Sequence, residues 1–152
     1  MAHLTDPISL GTLSLPTRLY RAPVLEGAGL TPDPAATYAK HFVPNVAAGL
    51  GLVIQGNTIV QPEGRTSPGM SAIGERARML ALAPLTRAVH RAGGKIIIQL
   101  GHGGLFALEG WHREVAPTRS APHLAPSKLP LWLRALHQSD TKILSTADVA
   151  TL

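Results

Sequence analysis

Three short segments of this chain carry residue types suited to holding a flat, polar-edged ligand. In Ala22-Pro23-Val24-Leu25, Pro23 fixes the backbone just past a strand. In Gln55-Gly56-Asn57, the glycine would let a flat ligand approach the backbone without meeting a Cβ. In Gln99-Leu100-Gly101-His102-Gly103-Gly104, the Gln99 amide offers a donor and an acceptor on one planar group, as the edge of a heterocycle requires. Each feature also has a plainer reading: Pro23 as a strand stop, Gly56 as a bulge or bend, Gln99 as a group satisfying its own surroundings. The conjunction of the three is better evidence than any member.

Other chemistries find less support. The chain has no cysteine, which rules out a thiolate nucleophile, a disulfide framework and a Cys-based zinc site. His102, His112, His123 and His137 are spaced by 10, 11 and 14 residues, matching no short-range ligand pattern, and no metal is expected. His90, close to the end of a helical segment, is explained by a favourable interaction with the helix dipole. There is no GxxxxGK(S/T) phosphate loop and no GxSxG nucleophile elbow. Gly27-Ala28-Gly29 lacks the third glycine of a dinucleotide fingerprint, since Pro32 holds that place.

The net charge is +5, with its densest basic run at Arg76, Arg78, Arg87, Arg91 and Lys95. No aromatic residue interleaves there as base stacking would need, so the run reads as a solvated helix face and no nucleic-acid partner is expected. No apolar run approaches the ~20 residues that span a bilayer, and no membrane association is expected. The opening Met1-Ala2-His3-Leu4-Thr5-Asp6-Pro7 lacks the basic start and apolar core of a signal peptide, so a soluble, cytoplasmic protein is expected.

The elements that must position the three segments follow from local pattern. At 152 residues, 45% hydrophobic and 15% charged, the chain suits a single domain (1–152) with a sizeable core. Residues 8–10 and 13–15 flank Gly11-Thr12 as a short β-hairpin. Leu19-Tyr20-Arg21-Ala22 is a short strand stopped by Pro23. Pro34, after a cap at Asp33, opens a helix whose Tyr38, Phe42 and Val46 form one apolar stripe. Gly49 and Gly51 close that helix and open the buried strand Leu52-Val53-Ile54, before loop chemistry over 61–74. A second helix covers about 79–92, and Lys95–Leu100 is the clearest strand. Residues 101–144 read as one long loop, of the kind usually functional, and Ser145–Asp148 as a capping-box helix start.

Strands alternating with helices, and strands that are continuously apolar, argue for parallel βα units in an α/β fold. Three such units do not close a (β/α)8 barrel, which typically takes about 250 residues. The chain therefore reads as the front of something larger, an incomplete domain.

At these strand ends the sequence resembles the Old Yellow Enzyme family of flavin-dependent ene-reductases, the NADH:flavin oxidoreductases. The likeness rests on Leu15-Pro16-Thr17-Arg18, Arg21-Ala22-Pro23, Gly49-Leu50-Gly51-Leu52-Val53-Ile54 and Pro62-Glu63-Gly64-Arg65. It is strongest at Val89-His90-Arg91-Ala92-Gly93-Gly94 followed by Ile98-Gln99-Leu100-Gly101-His102-Gly103-Gly104. What the resemblance implies is the N-terminal part of an FMN-binding (β/α)8 TIM barrel: about three βα units behind a leading hairpin that closes the barrel floor. Its flavin contacts would fall on Pro23, Val24, Leu25, Gly56 and Gln99, with NADH or NADPH as reductant and an activated alkene as the small-molecule substrate. The long loop, with Trp111 and Trp132, would cover the flavin or shape substrate access, or simply pack on the surface.

The sequence departs from the family at Leu25, where Thr or Cys is common near flavin O4, at Thr17 in place of Asn, and at Leu105 in place of a frequent Arg. The family's substrate-binding His/His or His/Asn pair, its proton-donating Tyr and its FMN-phosphate loops belong to later strands, so no catalytic residue is assigned in this chain. The chain alone is expected to be inactive: either part of an ene-reductase, or a truncated fragment that self-associates as a homo-oligomer or needs a complementing segment.

Overall fold

A computed structural model describes residues 1–74, 76–107, 122–132 and 141–151. Strands β1 (Ile8–Leu10) and β2 (Leu13–Leu15) form the expected antiparallel hairpin, with Ile8 opposite Leu15 and Gly11 turning the chain at φ +59°. Strand β3 (Tyr20–Arg21) follows, shorter than the four residues the pattern suggests, because the chain turns away at Pro23. Between the hairpin and the first helix, the loop holds one 3-10 turn, Ala28–Leu30.

Helix α1 (Pro34–Ala47) begins as its signals require. Asp33 accepts a hydrogen bond from the Ala36 N–H at 2.9 Å, and Pro34 occupies the first turn, where its missing N–H costs nothing. Tyr38, Phe42 and Val46 form its buried stripe. Pro44 is also inside the helix; it sits on the exposed side, where water can satisfy the carbonyl left unpaired at Lys40.

Strand β4 (Leu52–Ile59) is the centre of a parallel sheet. One edge carries β6 (Lys95–Gly101), whose register runs Leu52↔Lys95 to Gln55↔Ile98 and resumes at Thr58↔Leu100. The other edge is shared: β3 pairs with Leu52 and Val53, and the two-residue strand β5 (Ser71–Ala72) pairs with Thr58 and Ile59. The 61–74 stretch is thus less irregular than its prolines and glycines suggest. It holds the 3-10 turn Pro62–Gly64 and β5, which adds to the sheet because Thr58 and Ile59 present a free edge there.

Where one helix over 79–92 is expected there are two, α2 (Arg76–Ala81) and α3 (Ala83–Arg91). The break at Leu82 has a local cause: Pro84 cannot donate to the preceding turn, so it starts a new helix instead of continuing the old one. Phe42, Val46 and Tyr38 of α1, Val53 of β4, and Leu85 and Val89 of α3 make the core, with Leu82, Ala28 and Ala35 at its edges. Burying side chains of this size stabilises by roughly 1.5–3 kcal/mol each. Gly94 permits the close approach of α1, since a Cβ there would lie 2.6 Å from Val46 Cγ1.

The described part of the 101–144 stretch is not a bare loop. It contains a 3-10 turn, Gly104–Phe106, and a parallel pair, β7 (His123–Ala125) with β8 (Thr141–Ile143). Trp111, His112 and His137 lie outside the described residues, while Trp132 is described and exposed. Helix α4 (Thr146–Val149) closes the described chain with the expected capping box: Ser145 Oγ accepts from the Asp148 N–H and the Asp148 carboxylate accepts from the Ser145 N–H. No helix among the described residues is long and apolar enough to cross a membrane.

Candidate functional site

Three parallel strands bring the predicted segments to one place. Pro23 lies two residues past β3 and Gln99 lies inside β6. Gly56 is not at a strand end as expected. It sits within β4, which continues to Ile59 because Thr58 and Ile59 find partners on both edges. The ladder to β6 is irregular between Gln55 and Thr58, so the bulge reading of Gly56 is correct as to backbone shape. The Gly56–Asn57 peptide is cis.

The side chains meet at Gly56. A Cβ built there would lie 2.3 Å from Gln99 Oε1, 2.7 Å from Pro23 Cβ and 3.1 Å from Gln99 Cβ. Space that any other residue would fill is therefore occupied by the two predicted neighbours, and the glycine is what lets them converge. Gln99 is exposed, and its amide has no hydrogen-bond partner among the described residues. A satisfied structural amide would look different. Val24 is 54% and Leu25 45% exposed, so both present apolar surface to solvent beside Pro23. A free planar amide beside an apolar, proline-containing segment is chemically compatible with the polar edge and apolar face of a flavin ring.

A second rim borders this face where β4 and β6 run out. Asn57 lies against Gly101, where a Cβ would be 2.3 Å from Asn57 Oδ1. His102 Nδ1 accepts from the Gly104 N–H at 2.9 Å, which leaves the proton of a neutral imidazole on Nε2. Both Asn57 Oδ1 and His102 Nε2 are buried without a partner among the described residues. Gly64 packs on the His102 ring and accepts from the Gly103 N–H at 2.7 Å. Arg65 Nη1 donates to the carbonyls of Pro68 and Met70 at 3.0 and 2.9 Å, and burial, then nearby Arg78, pulls its pKa down.

Beneath the face runs a buried polar chain that the pattern of apolar residues does not disclose. Thr58 Oγ1 donates to Gln55 Oε1, Gln55 Nε2 donates to Tyr38 Oη, and Tyr38 Oη meets Ser71 Oγ, each at 2.8 Å. It joins α1, β4 and β5. Burial raises the Tyr38 pKa, partly offset by the bonds to Ser71 and Gln55. Tyr38 reads in the sequence only as one member of an apolar stripe; a Gln and a Thr within a buried strand were the available signal of a polar partner.

Beside Pro23, the Arg21 guanidinium is paired with Glu26 and lies 5.2 Å from the Phe42 ring centroid. Burial pushes the Glu26 carboxyl up, with Arg21 opposing it. The only local signal of this pair in the sequence is two opposite charges five residues apart around a proline. The departures from the family pattern have local roles. Thr17 Oγ1 donates to the Gly49 carbonyl at 2.9 Å, tying the hairpin's exit to the end of α1, and Leu105 is buried. Among the described residues no group of three or more His, Cys, Asp or Glu could hold a metal ion.

Comparisons with known proteins agree with this geometry. The chain is 32% identical over 110 residues to an NADPH dehydrogenase of Listeria welshimeri, covering 71% of this chain and 32% of the relative. It thus spans about a third of the length of the curated relatives it matches. Among solved structures it is similar to the old yellow enzyme homologue of Zymomonas mobilis, with a TM-score of 0.65 and 31% identity over 83% of this chain and 33% of that one. It is also similar to morphinone reductase, with a TM-score of 0.65 and 32% identity over 83% of this chain and 32% of that one. The expected fold class, an N-terminal part of a (β/α)8 barrel, is the one found, and the described residues close no barrel. The profile of the NADH:flavin oxidoreductase / NADH oxidase family, whose members use FMN and NADH or NADPH, matches residues 3–151. The chain belongs to the NADH:flavin oxidoreductase / NADH oxidase family.

Proposed function

We propose that this chain supplies the flavin-ring face of an FMN-dependent NAD(P)H oxidoreductase of the ene-reductase type, with Pro23, Val24, Leu25, Gly56 and Gln99 as its ring contacts. The observation that carries this reading is the convergence of Pro23 and the unpaired Gln99 amide on Gly56. When bound, FMN supplies two-electron chemistry, accepting hydride from NAD(P)H and delivering it from N5 to the β-carbon of an activated alkene.

The residues of this chain bind and orient. Gln99 offers Nε2 as donor and Oε1 as acceptor to the pyrimidine edge, which sets the in-plane position of the ring. Pro23, with its fixed φ, holds the backbone of the 22–25 turn at a set distance from that edge. Val24 and Leu25 give the ring an apolar neighbour that excludes water. Leu25 has no hydrogen to donate, so where the family's Thr or Cys would offer a hydrogen bond near flavin O4 this chain would offer an apolar side chain.

A second reading, that this chain is non-catalytic alone and either self-associates or needs a complementing segment, is favoured by one observation. Ile97 and Leu100 of β6 are 46% and 56% exposed, on a strand that is apolar along most of its length. Such an edge invites another chain.

Flavin titration followed by fluorescence quenching tests the first reading. Saturable binding is expected, with FMN and riboflavin bound within about threefold of each other, because the contacts named are all to the ring. Gln99→Leu is expected to weaken both by about tenfold, as loss of a paired polar edge would. Absence of saturable binding, or binding indifferent to Gln99→Leu, would overturn the assignment.

A further inference from the structure

We propose that the Arg21–Glu26 ion pair is a clasp that sets the backbone of residues 22–25, making both of them positioning residues for the flavin ring. This rests on the flavin reading above. Arg21 ends β3 and Glu26 follows only five residues later, so their contact closes a small loop around Ala22-Pro23-Val24-Leu25, which holds three of the five proposed ring contacts.

The clasp is anchored on both sides. Arg21 rests on the face of Phe42, a fully buried core residue of α1, so one end of the loop is anchored on the hydrophobic core. Immediately beyond Glu26, the 27–30 segment docks on the 67–70 loop: Gly29 N–H donates to the Gly69 carbonyl at 3.0 Å, and a Cβ on Gly69 would lie 2.8 Å from Gly27 Cα. The residues between are the opposite case, with Val24 54% and Leu25 45% exposed, so packing constrains them far less than it does the two ends. Their conformation is therefore set from the two ends.

The pair is also too buried to be a casual surface contact. Glu26's side chain is 3% exposed and Arg21's 20%, and Arg21 Nε and Glu26 Oε2 are buried with no partner among the described residues. Buried, incompletely satisfied charges are a poor way to gain stability compared with apolar residues of the same volume. A role in geometry accounts for them where a role in stability does not. The groups facing the Glu26 carboxyl are Arg21 of β3 and His41 and Tyr38 of α1, so within this cluster the guanidinium is the permanent charge that holds it.

Three variants of the chain test the clasp, read by flavin titration and by backbone NMR order parameters at Val24 and Leu25. Glu26→Ala opens it: flavin affinity is expected to fall about tenfold, and the order parameters at Val24 and Leu25 to drop from near the rigid-backbone value of about 0.85 to below about 0.6 while those of β4 stay unchanged. Glu26→Gln keeps an oxygen for Arg21 Nη2 and is expected to restore flavin affinity to within about threefold and the order parameters to the rigid range. Should Glu26→Ala not fold, the doubly apolar Arg21→Met, Glu26→Leu variant decides, since it removes both buried charges at once. That variant is expected to fold and still to show the loss of affinity and of order. Unchanged order parameters at Val24 and Leu25 in a folded variant without the pair would overturn the clasp. If the unaltered chain binds no flavin, the flavin reading fails by itself, and the order parameters alone decide whether Arg21 and Glu26 set the loop.

Discussion

Gly56→Ala puts the convergence of Pro23 and Gln99 to its sharpest test. The new methyl would lie 2.3 Å from Gln99 Oε1 and 2.7 Å from Pro23 Cβ, whereas ordinary carbon contacts lie at about 3.5–4.0 Å. Each neighbour must therefore retreat by about 1 Å. They do not yield equally. Gln99 Oε1 is the far end of a flexible, exposed side chain and swings away at little cost, whereas Pro23 Cβ belongs to a ring whose backbone is fixed. The expected result is a modest overpacking cost of about 1–3 kcal/mol together with displacement of both ring contacts. A displacement of about 1 Å in positioning groups can cost on the order of 100-fold in function, so flavin affinity should fall by about 10- to 100-fold. Gly94→Ala is the control: its methyl meets Val46 Cγ1 at 2.6 Å in the core, just before the N-terminal end of β6 and away from Gln99, so it should cost similar stability and leave flavin affinity unchanged. Urea unfolding and flavin quenching on both variants separate the effects. Wild-type flavin affinity in a folded Gly56→Ala variant would refute the reasoning.

Other outcomes follow from the same structure. Tyr38→Phe removes the hydroxyl at the centre of the buried polar chain and strands the Gln55 amide and the Ser71 hydroxyl; a loss of about 1–3 kcal/mol is expected in urea unfolding, and a second change, Ser71→Ala, should recover part of it. No loss on Tyr38→Phe would mean the chain is not formed in solution. Two carboxyls should give pH dependences of opposite sign. The Glu26 pKa is raised in the folded chain, so the folded state holds more protons than the unfolded one just above the ordinary value of 4.5, and its contribution to stability declines as pH rises through that window. Asp148, held down by Lys142 and Ser145, contributes above its ordinary value of 3.8 and loses that contribution as pH falls below it. Melting curves from about pH 3 to 7 on Glu26→Gln and Asp148→Asn should flatten one slope each. Finally, sedimentation velocity should show concentration-dependent association that Ile97→Lys with Leu100→Lys abolishes; a wild-type chain monomeric at every concentration would remove the case for an open apolar edge.

What can be read in the sequence is what is local. The hairpin at residues 8–15 follows from Gly11 between two apolar triplets, and α1 from Asp33, Pro34 and the spacing of Tyr38, Phe42 and Val46. The capping box at Ser145 and Asp148 is likewise complete within four residues. The same holds for the family, whose motifs lie in short segments around Pro23, Gly64 and Gln99 and are therefore legible in the sequence alone. The split of one expected helix into α2 and α3 was also local, since Pro84 carries it, but a helical stripe continuing across the proline masks the break.

The remainder depends on residues far apart in the chain. Nothing near Gly56 says that β4 runs on to Ile59, because the ladders that extend it are supplied by Ser71 and Leu100. Tyr38 looks like a core aromatic until Gln55, Thr58 and Ser71 reach it from other elements, and Arg21 and Glu26 look like two surface charges until Phe42 is found beneath them. The sequence by itself determined the parallel α/β class, the ends of several elements and which residue types could face a flavin. Only the tertiary structure decided that Pro23 and Gln99 share the space above Gly56, and that a buried ion pair brackets the turn beside them. Propensity and capping act within a turn or two of helix, whereas contacts across a sheet depend on register and twist, which the chain acquires only when its strands pair.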